Sequence, residues 1–513
     1  MIDLLNSLGR NLPQEWCGKA ITPYNGPWAY AKAVPNHRFK YPGLLATDKI
    51  VKDLDTLIDA LKMRDGMTIS FHHAIRNGDY VMKMVVDTLA RKGLKGLKLA
   101  PSSISAVQDC IFEHIENGVI TALDTSGIRG KIGDYVKSGR LAEPIIVRSH
   151  GGRARAIESG ELHIDVAFIA APACDTQGNI NGVEGASACG SMGYAMVDAA
   201  HAEQVVAITD NLLPHPLDRI SIPQTQVDFI VVVDKIGDPE GIATGSLKFT
   251  SNPKTLIISE YAAQVLEYSG CFNDGFSLQL GGGGASLCAA KYIKEKMYAR
   301  NITASFGVGG STGVFTDMLA EGLVQKLYDT QSFDIAAIQS LRTNPKHIEI
   351  SAAYYASAGT KGPIINKLDA VILGATEVDV NFNVNTLTGS NGVFMGAIGG
   401  HADIAATSGL SMVVLPLFRG RFPVIRKQVR TITTPGETVD VIITERGIAV
   451  NPRRQDLVYN FKYAGLPIMS IDELQSLAYK IAGTPEDSLD GDKVVALVEY
   501  RDGSIIDTVK SKI

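Results

Sequence analysis

A chain of 513 residues with 45% hydrophobic side chains and a formal charge of -5 is long enough for more than one domain and apolar enough for large cores. Without a global basic field it is not expected to work on nucleic acid, and any anionic ligand has to be met by local cations. No apolar run approaches the roughly 18 residues that cross a bilayer, and the opening MIDLLNSLGRNLPQEW lacks the long apolar stretch of a leader, so a cytoplasmic protein with no membrane partner is expected.

In chain order, ATDKIVKDLDTLIDALKMRDG sets Ile50, Val51, Leu54, Leu57, Ile58 and Leu61 at helical spacing, with Thr47 placed to cap the helix. MTISFHHAIRNGDYVMKMVVDTLARKGLKGLKLAP reads as a short strand, a polar loop over residues 72–78, an amphipathic helix and a second strand near residues 94–100. Such a βαβ unit implies parallel sheet. VITALDTSG follows, then EPIIVRSHGGRARAIESGEL, read as a charged helical stretch, and the buried strand IDVAFIAAP. CDTQGNINGVEGASACGSMG is a glycine-rich polar loop, succeeded by a small-residue helix and the strand QVVAITD. The six cysteines, Cys17, Cys110, Cys174, Cys189, Cys271 and Cys288, form no CxxC pair, so neither a disulfide framework nor a metal site is expected.

The same order then recurs. VDFIVVVDKIGDP returns as VDVIITERGIAVNP at an offset of 212, and TISFHHAIRNG as FSLQLGGGGAS at 209, with Phe71 set against Leu280. Asp165 of IDVAFIAAP matches Asp369 of LDAVILGAT at 204, and Val205 of QVVAIT matches Met412 of SMVVLP at 207. Four segments in one order at nearly one spacing imply two tandem copies of one α/β domain with mainly parallel sheets, residues 1–254 and 255–513, facing each other across a cleft. A further helix in the tail, MSIDELQSLAYKIAG, opens with a capping box from Ser470 to Glu473.

The chemistry is expected at residues 389–408, GSNGVFMGAIGGHADIAATS, a loop and helix start between two apolar runs. In open α/β sheets that position is the ligand crevice. Glycine lets backbone N–H groups approach an anion or a developing oxyanion, which makes Gly399 and Gly400, with Asn391 and His401, the candidate catalytic positions; Ser390 and Gly392 are candidates for holding a co-substrate. The run Gly281, Gly282, Gly283 and Gly284 opens a helix after FSLQL and suits a phosphate or pantetheine group. The alternative is that it merely lets strand and helix approach, but four glycines cost conformational entropy that packing alone rarely requires, so the ligand reading is preferred.

These segments together, with IDVAFIAAPACDTQGNING, LQLGGGGAS and VIITERGIA, resemble the coenzyme A transferase superfamily and, within it, the citrate lyase α-chain family. The resemblance implies a CoA-transferase that exchanges the acetyl group on a carrier's thiol-ended prosthetic group for citrate, giving citryl-carrier and acetate. It also implies a complex with an acyl carrier (γ) chain and a citryl-cleaving (β) chain, an oligomer, and no permanently bound cofactor, the phosphopantetheine or dephospho-CoA type group, or a CoA thioester, being a co-substrate. A free acyl-CoA:carboxylate transferase or an acyl-CoA hydrolase of the same fold is the alternative. A dehydrogenase is disfavoured, because no GxGxxG follows the first strand.

Many members of the superfamily are similar across the second glycine-rich strand but carry, just after it, a glutamate that holds the acyl group covalently. Here the stretch ITASFGVGGSTGVFTDM has none, and the next acids are Asp317 and Glu321, the first expected on a solvated helix face. Direct transfer is therefore favoured. Citrate, a trianion, calls for arginine. Arg76, Arg129 and Arg153, each beside glycine, are the chosen candidates among a set that includes Arg155, Arg342, Arg419 and Arg421. His72 and His73 point opposite ways, so one of them at most faces the cleft. Asp175 and Glu184 read as a polar rim, and Glu445 as a structural hydrogen-bonding residue.

Overall fold

The computed structural model describes residues 4–16, 18–28, 49–242, 252–486 and 489–513. Runs such as VAFIAA and QVVAIT are buried at almost every position, as strands covered by helices on both faces must be. In chain order the first half supplies β1 (Ile50–Val51), β2 (Thr68–Ser70), β3 (Leu97–Leu99), β4 (Ile120–Thr125), β5 (Ile145–Arg148), β6 (Val166–Ala171), β7 (Gln204–Thr209) and β8 (Phe229–Val232). The second supplies β9 (Ser277–Leu280), β10 (Phe306–Ser311), β11 (Leu327–Ser332), β12 (His347–Glu349), β13 (Ala370–Gly374), β14 (Leu410–Val414), β15 (Val441–Thr444), β16 (Gly447–Val450), β17 (Asp490–Glu499) and β18 (Ile505–Lys512). The helices that matter below are α1 (Leu54–Leu61), α2 (Val81–Arg91), α3 (His150–Glu158), α4 (Gly193–His201), α5 (Pro253–Tyr268), α6 (Gly284–Arg300), α7 (Gly313–Ala320), α8 (His401–Ala405) and α9 (Ile471–Ala482).

One sheet runs β18-β17-β5-β4-β3-β2-β6-β7-β8-β1 and the other β12-β11-β10-β9-β13-β14-β15-β16. All neighbours are parallel except the pairs β17–β18 and β15–β16. Seven strands follow the same order in both sheets, β5 to β8 matching β12 to β15, which is three more than the sequence repeats reveal.

Side chains repeat as well. The Asp165 carboxylate accepts from the Thr68 amide at 2.7 Å, and Asp369 accepts from Ser277 at 2.8 Å; Asp228 takes the Val205 amide at 2.8 Å, and Asp440 that of Ser411 at 2.9 Å. Each carboxylate satisfies a strand-start N–H that lacks a ladder partner. The last pair shows that Val205 corresponds to Ser411, and Val206, opposite Phe229, to Met412, opposite Val441. The spacing there is 206, one less than the sequence match suggests.

Three further differences from the sequence reading have physical causes. Ile50 and Val51 form β1 on Ile230 and Val231, because α1 starts only at the Asp53 cap, whose carboxylate takes the Thr56 amide at 2.8 Å; Thr47 lies outside the described residues. Ile145–Arg148 is a strand between two parallel neighbours, and α3 begins after it. The boundary at 254 falls in the first turn of α5, but β17 and β18, assigned by sequence to the second domain, complete the first sheet through Ile145 opposite Ala496. Glu499 of β17 meets both Arg148 and Arg155 there. The capping box of α9 forms as expected.

Candidate active-site cleft

The C-terminal ends of strands from both sheets converge on a cleft of about 660 Å³. The first half contributes His73, Arg76, Arg129, His150 and Tyr194; the second contributes the glycine turn after β9, Gly309 and Gly310 of β10, Tyr355, and the segment from Ala397 to His401. Among the described residues, none that lines the cleft is an aspartate or glutamate.

Backbone bonds to the first half fix the loop before α8. Gly396–Ala397 pairs antiparallel with Gly127–Ile128, Ile398 donates to the Ser126 carbonyl at 2.9 Å, and the His150 amide donates to the Gly399 carbonyl at 2.8 Å. A Cβ at Gly396 would sit 1.9 Å from the Thr386 carbonyl, so this close approach requires glycine. Asp403, buried on α8, accepts from the Ser149 hydroxyl at 2.8 Å and the Gly151 amide at 2.9 Å, which occupies the N-terminus of α3 with a protein carboxylate. Burial raises its pKa to about 6. Gly399 and Gly400 line the cleft, and their amides donate to no acceptor among the described residues.

The electrostatics suit a polyanion. Burial, then the nearby Arg129, brings Arg76 down to about 10, and burial lowers Arg129 too. Among the described residues, two cations share one cavity without a lining carboxylate. Arg76 lies 4.9 Å over the Phe333 ring and holds a left-handed backbone, φ 53, a strain that persists only where surroundings enforce it. The imidazoles are neutral: burial takes His150 to about 3 and His401 to about 4, and holds His73 well below its usual range. Tyr355 accepts from the Gln279 amide nitrogen at 2.8 Å and stands close beside Gly400.

Of the sequence candidates, Gly399, Gly400, His401, Gly281, Gly282, Gly283, Arg76 and Arg129 meet in this cleft. His73 faces it and His72 is buried. Gly284 is the first residue of α6 rather than a cleft residue. Asn391, Ser390 and Gly392 are elsewhere: Gly389 donates to the Val393 carbonyl at 2.9 Å, closing a tight turn with Gly392 at φ 74, where Ser390 donates to Glu377 at 2.6 Å and Asn391 is exposed. That turn packs beside Lys137 and Arg430, and the chain returns to the cleft only through Gly396.

Arg153 is also elsewhere, 2% exposed and bonded to Asp198 at 2.7 and 3.0 Å and to the Ala100 carbonyl. Asp175 is a turn carboxylate and not a rim group: it takes the Gln177 and Asn179 amides, as Asp379 takes those of Asn381 and Asn383. Glu445 accepts from the Leu417 amide, and Asp317 is exposed on α7. Sequence reasoning missed His150, Tyr194, Gln279 and Tyr355, which lack a motif of their own and meet only through packing. Among the described residues, His163, Asp165 and Glu203 form a surface grouping spaced for a metal, with Asp165 already engaged at Thr68.

The family described as citrate lyase, alpha subunit (CitF), matches residues 47–512. The citrate lyase alpha chain of Klebsiella pneumoniae is 49% identical over 495 residues, 96% of this chain and 96% of its own. That of Escherichia coli (strain K12) is 49% identical over 461 residues, 90% of each. A crystal structure of a citrate lyase alpha subunit from Streptococcus mutans in complex with citrate is 48% identical, with a TM-score of 0.94 over 99% of this chain and 100% of that one. At 15% identity, a malonate decarboxylase alpha subunit from Acinetobacter baumannii shares the fold, with a TM-score of 0.62 over 85% of this chain and 93% of its own.

Proposed function

Because this chain belongs to the citrate lyase alpha-subunit family and is thus an enzyme component of citrate lyase, we propose that its cleft exchanges the acetyl group of a carrier-bound thioester for citrate. A citrate carboxylate oxygen attacks the acetyl carbonyl carbon, whose π electrons move onto oxygen. Collapse expels the carrier thiolate and leaves a mixed citric–acetic anhydride. The thiolate then attacks the citryl carbonyl and expels acetate, with no net gain or loss of protons.

The observation that carries this reading is a cleft lined, among the described residues, by two arginines and no carboxylate. Arg76 and Arg129 hold the carboxylates of citrate that do not react. The Gly399 and Gly400 amides receive the oxyanion, a role for donors fixed beforehand by the surrounding backbone. Gly282 and Gly283, ahead of the uncapped start of α6, offer amides to the phosphate or pantetheine of the carrier's prosthetic group, of phosphopantetheine or dephospho-CoA type. Acyl carrier and citryl-cleaving chains are the partners in this scheme, in an oligomeric complex in the cytoplasm; among the described residues no helix is long and apolar enough to cross a membrane. The test is label exchange from acetyl-carrier and from acetyl-CoA with citrate and a panel of other carboxylates. Citrate-dependent exchange with the carrier is expected, and exchange that ignores citrate would refute the proposal.

A further inference from the structure

The second half of the proposed reaction needs the carrier thiolate as a nucleophile. Thiols titrate at about 8.5, so an acid of lower pKa next to the sulfur would quench it. The cleft therefore needs donors that stabilise an oxyanion without surrendering a proton. Two backbone amides meet that requirement, and one side chain stands beside them.

His150 opens α3. Its amide is bonded to the Gly399 carbonyl at 2.8 Å, and its ring Cε1 lies 3.9 Å from where a Cβ on Gly399 would be, so the Cε1–Nε2 edge stands beside Gly399 in the cleft that both residues line. The other ring nitrogen, Nδ1, is 2.6 Å from the Tyr194 hydroxyl, with ring centroids 4.6 Å apart. Tyr194 is 6% exposed, and its hydroxyl meets no other partner among the described residues.

Two arrangements fit that distance. If Nδ1–H donated to the tyrosine oxygen, the phenolic proton would have no acceptor among the described residues, and the Nε2 lone pair rather than a proton would be turned to the cleft. A nearly buried hydroxyl left without an acceptor is the costlier arrangement. If the hydroxyl donates to Nδ1, both groups are satisfied and the imidazole proton sits on Nε2, toward the cleft.

We infer that His150 is a third oxyanion donor through a neutral Nε2–H, and that Tyr194 is a positioning residue that fixes this tautomer, an inference that rests on the exchange reaction proposed above. His150 gives a hydrogen bond and no proton, so the expelled thiolate keeps its charge. Burial, then Arg153, keeps the ring neutral, and His73, 5.7 Å away, is neutral as well.

A double-mutant cycle with a spectroscopic readout decides this. His150→Ala should lower kcat about 100-fold to 1000-fold, the loss seen for one oxyanion donor. His150→Gln, whose side-chain amide supplies a neutral donor near the Nε2 position, should recover most of that loss. Tyr194→Phe alone should lower kcat about 10-fold or more with little change in the KM for citrate, since a wrong tautomer removes the donor. On the His150→Gln background, which has no tautomer to set, Tyr194→Phe should add nothing. In 15N-histidine spectra the His150 signals, assigned by their loss in His150→Gln, should show protonated Nε2 in the parent and mixed tautomers in Tyr194→Phe.

An equal cost of Tyr194→Phe on both backgrounds, or a protonated Nδ1 in the parent, would overturn the inference. Parent enzyme that fails to exchange acetyl for citrate would instead overturn the function proposed above, and the spectrum would still judge the tautomer.

Discussion

The His150 amide and the Gly399 carbonyl, from opposite halves of the chain, are hydrogen-bonded at 2.8 Å. Gly399 sits at φ 59 in the cleft, and its own amide donates to no acceptor among the described residues. The bond also places the first turn of α3 against the loop before α8, so the donors of both halves are set before any ligand arrives. That fixed arrangement separates glycines that build the loop from glycines that act in it.

A Cβ at Gly400 would meet the Tyr355 hydroxyl at 2.8 Å, and one at Gly396 the Thr386 carbonyl at 1.9 Å. The first obstacle lies in the cleft and the second in the loop's own backbone. Gly400→Ala should therefore lower turnover about 100-fold to 1000-fold with a Tm close to the parent's. Gly396→Ala should lower Tm first. Melting curves beside turnover separate the two, and near-normal activity of a well-folded Gly400→Ala would remove the loop from catalysis.

The arginines divide in the same way. Arg76→Ala and Arg129→Ala should each weaken citrate use by about 1.5 to 3 kcal/mol, the worth of a hydrogen bond to a charged group. The change should appear as a raised KM for citrate. Arg153→Ala should instead cost about 3 to 5 kcal/mol of stability, because it strands the buried Asp198, which also accepts from Ser70 at 2.9 Å. Urea unfolding checks the second expectation, and a destabilised variant with an unaltered KM is the predicted result.

Four strands of each half were readable in outline because parallel strands covered on both faces leave apolar runs, and a duplication repeats them with the aspartates that pin their starts. Position along a long loop was less readable. Ser390, Asn391 and Gly392 share the glycine-rich composition of Gly399 and Gly400, but the antiparallel bridge at Gly396–Ala397 sends the first group to an outer turn and the second to the cleft. Arg153 misled for a related reason: a glycine neighbour shows where backbone packs closely, and here α3 packs its arginine inward onto Asp198. The tail hairpin was invisible because its partner strand, β5, lies more than 300 residues earlier in the chain.

Acid should destabilise the protein through histidines buried neutral. His72, at about 4 through burial, has an ordinary value of 6.5, so between these values the unfolded chain carries a proton that the folded chain does not. Stability is then lost as pH falls through that window, by about 1.4 kcal/mol per pH unit for one such group. Asp403, raised to about 6 by burial, acts in the opposite sense as pH falls from 6 to 3.8. Urea midpoints of the parent and His72→Gln at pH 7, 6 and 5 should diverge, with the parent falling more steeply; parallel profiles would show that His72 does not set the acid limit.

The most direct test of the mechanism follows oxygen through a single turnover, with enzyme in excess over acetyl-carrier and with citrate whose carboxylates carry 18O. Direct attack by citrate leaves one citrate oxygen in the acetyl carboxylate when the anhydride is opened by the thiolate. The released acetate is predicted to carry one 18O, and the protein no label and no acyl adduct. Acetate without 18O, with label appearing in a carboxylate of the protein, would contradict the account and require a covalent acyl-enzyme in a cleft whose described lining has no aspartate or glutamate.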